Sequence, residues 1–348
     1  MNSMKRIFAV LSFIFCLAGQ HLVAQVDMKT IGQGGVDLKQ TGQTTMNFLQ
    51  VSVSPRAAGM GAAYTSMARG VESVFSNPAG LPEMESSVEA FVSSTQWFAD
   101  IKYLAGAVAW NGKELGQVAL SAEVVDYGSI KGTAFVPRSS TGTANYILTG
   151  NVPNVGAYVF GLTYVKAISN EFAIGGSVKY AGQQLGQLVN ASGVVSNNNS
   201  TKYVFDMGVK YFPGIESLRL GMSIRNFSTF VRYQSFQSPI PLEFSLGLGM
   251  NILDIFDKDM LKEHEFFITT DFVHPNNYTD RVNVGVEYNF MKTFSLRGGY
   301  QSNNDLLGLS GGVGLMQSIG GIMMRVDYAY SGTKNFGGIQ RVALGFAF

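Results

Sequence analysis

The sequence has few charged residues, a single cysteine and almost no long apolar runs. Asp, Glu, Lys and Arg make up 14% of its 348 residues, against ~25% in ordinary soluble domains. Beyond the first two dozen residues, no apolar run approaches the ~18 residues that a membrane-spanning helix needs. These absences exclude a helical membrane protein and disfavour an ordinary soluble enzyme. Glycine, in contrast, is abundant at 41 residues, and aromatic residues reach 12%.

Residues 1–24 have the pattern of a signal peptide. Lys5 and Arg6 precede the apolar residues 7–19, and Ala24 is a small residue just before a cut ahead of Gln25. An N-terminal anchor helix is the weaker alternative, because the stretch is too short to span a bilayer. Removal of this segment also removes the only cysteine, so we expect no disulfide, thiol nucleophile or cysteine-based metal site in the mature chain.

The mature chain has no basic block. Once Lys5 and Arg6 are removed, the chain carries one more acidic than basic side chain, and the charges are dispersed singly. Nucleic-acid binding depends on clustered lysine and arginine. We therefore expect no nucleic-acid partner.

From residue 87 onward, apolar and polar residues alternate with a period of two, in segments of roughly 9–13 residues that suit strands crossing a bilayer at a tilt. In the clearest segment, Phe244, Leu246 and Leu248 share one face, while Glu243 and Gly247 share the other. A soluble β-sandwich also alternates, but its outer face would be rich in charge. Here the polar face is mostly Gly, Ser and Ala, which suits a crowded lumen. The predicted fold is therefore all-β, a transmembrane antiparallel β-barrel of about fourteen strands.

The predicted strands can be given as ranges, and the connections between them alternate in length. The strands are 87–97, 101–111, 114–126, 156–168, 171–182, 201–212, 217–228, 241–251, 264–274, 280–290, 293–301, 306–317, 320–331 and 338–348. Long connections at 127–155, 183–200 and 229–240 are predicted to be extracellular, because outer-membrane barrels have short periplasmic turns and longer external loops. The inner connection 252–263 is longer than the others and is predicted to hold a short helix.

The last strand ends the chain with an aromatic residue. Its apolar face consists of Val342, Leu344, Phe346 and Phe348. This pattern resembles the terminal strand that the barrel-insertion machinery reads in Gram-negative outer-membrane proteins, although an apolar strand could also close a soluble sheet. Together with the signal peptide it predicts the cell outer membrane as the location, with outer-membrane lipid and the insertion machinery as partners.

Residues 25–86 do not alternate. Gly59 and Gly61 allow a close backbone approach or a positive φ angle. The pair Asn77-Pro78 favours a turn, since the proline biases Asn77 away from helix. This pattern predicts a compact plug in the barrel or a collar at its inner mouth. The expected organisation is a signal peptide at 1–24, an N-terminal extension with a plug or hatch at 25–86, and a barrel at 87–348.

Part of this N-terminal region resembles a known family. Residues 54–81 read SPRAAGMGAAYTSMARGVESVFSNPAGL and are similar to the N-terminal motif of the PorV/PorQ family, Bacteroidetes relatives of the FadL-type fatty-acid transporters. The family motif is R-A-x-G-M-G-x-A followed by N-P-A. The matching residues are Arg56, Ala57, Gly59, Met60, Gly61, Ala63, Asn77, Pro78 and Ala79.

The resemblance implies a fold and two candidate functions. It implies a FadL-like barrel of fourteen strands, with the N-terminal segment folded into or beneath the lumen. PorV-like members act in type IX secretion, so the first hypothesis is an accessory protein that docks or shuttles exported proteins carrying C-terminal sorting domains, with other type IX components as partners. The alternative is a FadL-like passive channel for hydrophobic small molecules. In that case residues 116–124 could form a kinked strand that opens sideways.

The alternation also predicts which charged side chains face the lumen. They could line a selective pore, but ion pairing is favoured because a buried unpaired charge is costly. Phe267 and Met323 are predicted to point inward as well. The predicted lumenal charges are Glu89, Glu123, Lys179, Asp206, Lys210, Arg219, Arg225, Glu243, Asp271, Arg281, Glu287, Arg297, Arg325, Asp327 and Arg341.

Catalytic features are sparse. His264 and His274 fall at opposite ends of one predicted strand, roughly 33 Å apart, and neither belongs to a nucleophile triad or a metal-ligand pattern. The glycines of residues 311–314 lie inside a predicted strand and precede no helix, so they do not form a phosphate-binding loop. We therefore predict a protein that is not an enzyme, with no catalytic residues, no metal and no cofactor.

Overall fold

Fourteen strands form a closed antiparallel barrel in the computed structural model, which describes residues 43–136, 145–189, 195–215, 217–233, 236–255 and 263–348. The predicted signal peptide lies outside the described residues. The barrel strands are β1 (Val88–Gln96), β2 (Lys102–Asn111), β3 (Gln117–Asp126), β6 (Val155–Ala167), β7 (Phe172–Val189), β8 (Val195–Tyr211), β9 (Arg219–Phe227), β12 (Glu243–Asn251), β13 (His264–Pro275), β14 (Arg281–Phe290), β15 (Phe294–Gln301), β16 (Leu307–Ile319), β17 (Ile322–Thr333) and β18 (Ile339–Ala347). Two external hairpins add β4 (Lys131–Val136) with β5 (Asn145–Asn151), and β10 (Val231–Tyr233) with β11 (Phe236–Ser238).

The barrel closes where its first strand meets its last. β1 pairs with β18 from Glu89 opposite Ala347 to Gln96 opposite Gln340. Every other barrel strand pairs with its neighbours along the chain once the two hairpins are set aside. The strand number and closure confirm the predicted fourteen-stranded antiparallel barrel.

The period of two separates an outer apolar face from an inner polar face. On β12, Leu246 is 50% exposed, whereas its neighbour Ser245 is 4% exposed. Because side chains alternate across a strand, the same separation recurs around the barrel. An outward row of tyrosines crosses three strands, with ring centroids 6.3 Å apart for Tyr158 and Tyr180 and 5.5 Å apart for Tyr180 and Tyr203. Aromatic rows of this kind mark the bilayer interface of outer-membrane barrels.

The two ends of the barrel differ in their connections. The connection 127–155 contains the hairpin β4–β5, and the connection 229–240 contains the hairpin β10–β11. In the connection 183–200, β7 continues to Val189 and β8 begins at Val195. The sequence interpretation of these three stretches as loops was therefore partly wrong. In the connection 229–240, Val231 and Ile240 are buried in a hydrophobic cluster against which Tyr233 packs, so packing supports the β10–β11 hairpin in addition to its backbone pairing. In the connection 252–263, the described part is the 3₁₀ turn Ile252–Ile255.

Residues 43–86 (the N-terminal segment) pack against the inner face of the barrel. Their one α-helix, α1 (Pro55–Gly59), begins with proline at its first turn, and the Ser54 side chain accepts a hydrogen bond from the Ala57 amide at 3.2 Å. The rest of the segment folds through three 3₁₀ turns, Asn47–Gln50, Val71–Phe75 and Pro78–Glu83. Within the described residues, no helix is long and apolar enough to cross a membrane.

Candidate functional site

The N-terminal segment runs through the lumen from one end of the barrel to the other. At the long-loop end, the Thr45 amide donates to the Pro239 carbonyl at 3.0 Å. At the short-turn end, the Glu85 amide donates to the Glu89 carboxylate at the start of β1, at 2.8 Å. The residues between these two points are mostly buried. The candidate site is therefore the lumen itself, together with the segment that occupies it.

The motif arginine is bound to the barrel wall. Arg56 is fully buried, and its Nε and Nη2 donate to the Glu287 carboxylate at 2.7 and 2.5 Å. Glu287 also accepts from Arg297 Nε at 2.6 Å, and Arg297 Nη1 donates to Asp327 at 2.6 Å. Two guanidinium groups therefore share one buried carboxylate, in the planar fork geometry that arginine provides.

Glu72 of the N-terminal segment extends this network. Its carboxylate accepts hydrogen bonds from Ser54 at 2.8 Å and from the Tyr64 hydroxyl at 3.0 Å. Arg325 on β17 pairs with Glu72 at 2.8 Å and with Asp327 at 2.8 Å. The sequence interpretation did not find Glu72, because nothing in its local pattern distinguishes it from a solvated glutamate.

Asn77 ties the end of the segment to the wall. Its side-chain amide donates to the Thr65 carbonyl at 2.9 Å and to the Val209 carbonyl of β8 at 3.2 Å, and its oxygen accepts from the Ala79 amide at 3.1 Å. Asn77 itself is extended, with φ −133°, and Pro78 starts the following 3₁₀ turn. The turn predicted for Asn77-Pro78 is present, and Ala79 is buried beside it.

Glycines allow the backbone of the segment to touch the backbone of the wall. Gly61 has φ +63°, and a Cβ added there would lie 2.6 Å from the Tyr300 nitrogen. A Cβ added at Gly285 would lie 2.5 Å from the Met60 carbonyl oxygen, and one added at Gly221 would lie 2.5 Å from that of Thr65. The inner face of the barrel has glycine at these positions because the N-terminal segment packs directly against its backbone there.

Most of the predicted lumenal charges are paired. Glu83 of the segment pairs with both Lys210 and Arg219, Lys179 pairs with Asp206, and Asp271 accepts the amides of Tyr64 and Thr65 at 2.9 and 2.8 Å. The expectation of ion pairing therefore holds for Lys179, Asp206, Lys210 and Arg219, whereas Asp271 is held by backbone amides and has no salt bridge to a described residue. Phe267 is buried with Met60 and Tyr64, as its predicted inward orientation requires.

A cavity of about 300 Å³ lies between the N-terminal segment and the long-loop end of the barrel. We call it the vestibule. Its floor includes Ala57 and Ala58 of α1, and its walls include Trp97, Arg281 and Arg341. The lining combines charged and apolar groups, so the vestibule differs from a purely apolar ligand cavity.

The barrel wall is continuous at β3, the strand for which the sequence suggested a lateral opening. β3 pairs with β2 from Asn111 opposite Gln117 to Lys102 opposite Asp126, and with β6 along the same length. A kinked strand at residues 116–124 would interrupt these ladders. The hypothesis of a lateral opening at this strand was wrong for this conformation.

The C-terminal residues lie on the outer face. Val342, Leu344 and Phe348 are 46%, 38% and 54% exposed, and Phe346 is paired with Ala90 of β1. These side chains face lipid rather than the lumen. Recognition of this strand by the insertion machinery stays a prediction.

His264 and His274 lie at the two ends of β13. His264 contacts the Tyr288 hydroxyl at 2.7 Å, and His274 contacts Asp280 at 2.6 Å near the long-loop end. In the part of the chain that the structure describes, no cluster of three or more His, Cys, Asp or Glu side chains could hold a metal ion.

Solved structures of similar fold cover most of the chain. The CymD monoaromatic hydrocarbon channel matches with a TM-score of 0.51 and 12% identity, over 85% of this chain and 96% of that one. The toluene transporter TodX of Pseudomonas putida matches with a TM-score of 0.52 and 10% identity, over 84% and 96%. A FadL homologue of Pseudomonas aeruginosa matches with a TM-score of 0.44 and 11% identity, over 85% of this chain and 96% of that one.

No protein-family model matches the sequence, and no curated protein matches it. The resemblance to the PorV/PorQ family therefore stays a prediction from its motif. Identities this low establish the fold alone. The chain is similar in fold to CymD and TodX, and it forms a closed antiparallel β-barrel of fourteen strands.

Proposed function

We propose that this protein is a passive outer-membrane channel for small molecules and that its N-terminal segment closes the lumen. The observation that carries the proposal is the path of residues 43–86, which run the full length of a closed barrel and leave a vestibule of about 300 Å³ on the long-loop side. The proteins of similar fold include a monoaromatic hydrocarbon channel and a toluene transporter, which supports this class of function.

Passage through such a barrel requires the N-terminal segment to move. The segment is bound to the wall by hydrogen bonds and ion pairs, and no cysteine is present in the described residues to link it covalently. The wall between β2, β3 and β6 is fully paired, so a solute that enters the vestibule meets the segment rather than a side opening. The segment is therefore the gate in this proposal.

A reversible disulfide tests the gate. Ser66 Oγ and Thr269 Oγ1 lie 3.4 Å apart between the segment and β13, close enough for a disulfide after replacement of both residues by cysteine. In proteoliposomes that contain S66C/T269C, we expect swelling in isotonic solutions of small solutes to fall when the disulfide forms and to recover on reduction.

A second disulfide provides the matched control. Thr163 and Ser177 are cross-strand partners on β6 and β7, with their hydroxyl oxygens 2.8 Å apart. A T163C/S177C disulfide joins two strands that are already hydrogen-bonded, so it should leave solute flux unchanged. Flux that is no greater than in protein-free vesicles would contradict the channel. Flux that ignores the S66C/T269C disulfide would contradict the gate.

We also propose type IX secretion as a second candidate, on the strength of the motif in residues 54–81 alone. In this case the barrel would be a docking platform in a Bacteroidetes outer membrane, binding exported proteins with C-terminal sorting domains. Deletion of the gene would then leave those proteins in the periplasm. Normal secretion combined with lost solute uptake would leave the channel as the better account.

A further inference from the structure

Arg341 is a buried arginine without an acidic partner. Its side chain on β18 is 1% exposed. Its Nε donates to the Ser52 carbonyl at 2.8 Å, and its Nη1 donates to the Ser331 hydroxyl at 2.9 Å. Nη2 makes no hydrogen bond to any described residue, and the guanidinium lies 5.6 Å from the Trp97 ring centre. A buried charge satisfied only by neutral groups is costly.

The other arginines of the barrel strands are neutralised by carboxylates. Arg297 and Arg325 pair with Asp327, and Arg219 pairs with Glu83. Arg225 and Arg281 share Glu243, at 3.5 and 3.3 Å. Within the described barrel strands, Arg341 is thus the one arginine for which the fold supplies no counter-charge. Among the described residues, the Arg341 guanidinium therefore has hydrogen bonds to neutral groups alone.

An anion can approach the Arg341 guanidinium from the vestibule, because Arg341 lines it. Three arginines and one glutamate line it: Arg341 is buried, and Arg225, Arg281 and Glu243 are half-buried. The other acidic group of the lining, Asp305, is exposed at the rim. The vestibule therefore has an excess of positive charge at its walls, and this excess favours a negatively charged guest.

We propose that the vestibule binds a small organic carboxylate, with Arg341 as the residue that receives the carboxylate group. The guanidinium fork matches the two oxygens of a carboxylate. Trp97, Phe75 and Val273 are in the same lining and offer apolar surface to the remainder of the molecule. The volume of about 300 Å³ is at the lower end for ligand pockets, so the guest is small. This inference deepens the proposed function by naming the solute class of the channel.

Calorimetric titration of the detergent-purified full chain tests the site, with sodium benzoate as the probe and benzamide as its neutral counterpart. Benzoate should bind saturably, and benzamide at least about tenfold more weakly, because the charged hydrogen bonds are lost. R341Q should weaken benzoate binding by at least about tenfold, and R341K should fall between R341Q and the unaltered protein because lysine keeps the charge without the fork. R219Q, which alters a lumenal arginine outside the vestibule lining, should change the affinity less than about twofold.

Fluorescence locates the bound probe. The chain has two tryptophans, and Trp110 faces outward with 43% exposure. In W110F, the remaining tryptophan lies beside Arg341, so benzoate should change its emission and benzamide should not at the same concentration. Equal affinity for the two probes, or benzoate binding unaffected in folded R341Q, would overturn the proposal. If R341Q does not fold, the comparison of benzoate with benzamide in the unaltered protein decides.

Binding in detergent does not depend on transport. If the protein binds benzoate through Arg341 but shows no flux in proteoliposomes, the carboxylate-site proposal stands and the channel proposal fails. If the protein conducts solutes but binds benzoate and benzamide with equal affinity, the channel proposal stands and the carboxylate-site proposal fails. The two proposals therefore fail separately.

Discussion

Arg56 of the N-terminal segment and Glu287 of β14 are joined by two hydrogen bonds, 2.7 Å from Nε to Oε2 and 2.5 Å from Nη2 to Oε1. Both side chains are buried, and 231 positions of sequence separate them. The pair fixes α1 against the wall at the centre of a network that also includes Arg297. It therefore ties α1 directly to the barrel wall.

We expect R56Q to loosen the N-terminal segment. Glutamine loses the charge and the fork but leaves Glu287 still paired with Arg297, so the free energy of unfolding should fall by about 3 kcal/mol, the lower part of the range for a broken buried pair. Solute leak through the barrel should rise at the same time. Thermal unfolding followed by gel mobility and vesicle swelling measure the two effects.

R56K is the matched control for this change. Lysine keeps the positive charge but cannot form the planar fork, so its stability should lie between those of R56Q and the unaltered protein. An R56Q barrel with unchanged stability and unchanged leak would mean that the ion pair does not hold the segment.

We expect G61A to impair assembly more than a glycine-to-alanine change at a position that has only a positive φ angle. Alanine at position 61 must adopt φ +63° and must place its Cβ 2.6 Å from the Tyr300 nitrogen. G214A is the control, since Gly214 has φ +73° but nothing within 4 Å of an added Cβ, so it should cost about 1–2 kcal/mol from backbone strain. The folded fraction after refolding into detergent measures both variants. Equal yields would show that the close approach at Gly61 is relieved by other movements.

We expect N77D to be more damaging than N77A, because Asn77 is fully buried. Alanine removes both donated hydrogen bonds, to the Thr65 and Val209 carbonyls, and also the acceptor for the Ala79 amide. Aspartate keeps the acceptor for that amide, but it loses both donors and places a buried negative charge against the two carbonyl oxygens, which costs more than the lost hydrogen bonds. Each unsatisfied buried group costs about 1–3 kcal/mol. Limited proteolysis of residues 43–86 in folded barrels should report the loosening, and equal protection of N77A and the unaltered protein would contradict this role.

We expect F348S to slow insertion in cells without altering the finished barrel greatly. Phe348 is the terminal aromatic of the strand that resembles an insertion signal, and its side chain is 54% exposed on the outer face. F336S is the matched control, because Phe336 is 51% exposed but lies in the connection before β18. The amount of folded protein in isolated outer membranes measures the effect. Similar amounts of F348S and F336S would count against a recognition role.

The barrel strands could be predicted closely because their information is local. Each strand carries its own alternation, and a lipid-facing position demands an apolar side chain whatever its partner is. The hairpin β4–β5 and the extensions of β7 and β8 were missed, since strands outside the bilayer have no such demand. The N-terminal segment was harder, because its short turns have no period and its ion pairs join residues far apart in sequence.

The same limit applies to the candidate site. Alternation placed Arg56's partner Glu287 and the arginine Arg341 on the inner face, yet it assigned neither of them a partner. The structure pairs Glu287 with Arg56 and leaves Arg341 facing a cavity without a carboxylate.

The sequence by itself determined the barrel, its strand number and its lipid-facing surface, because a membrane imposes the same requirement on every second residue of each strand. Only the tertiary structure decided which lumenal charges are neutralised, where the segment touches the wall and where a vestibule remains. Those features depend on distances between residues that the chain brings together only when the barrel has closed.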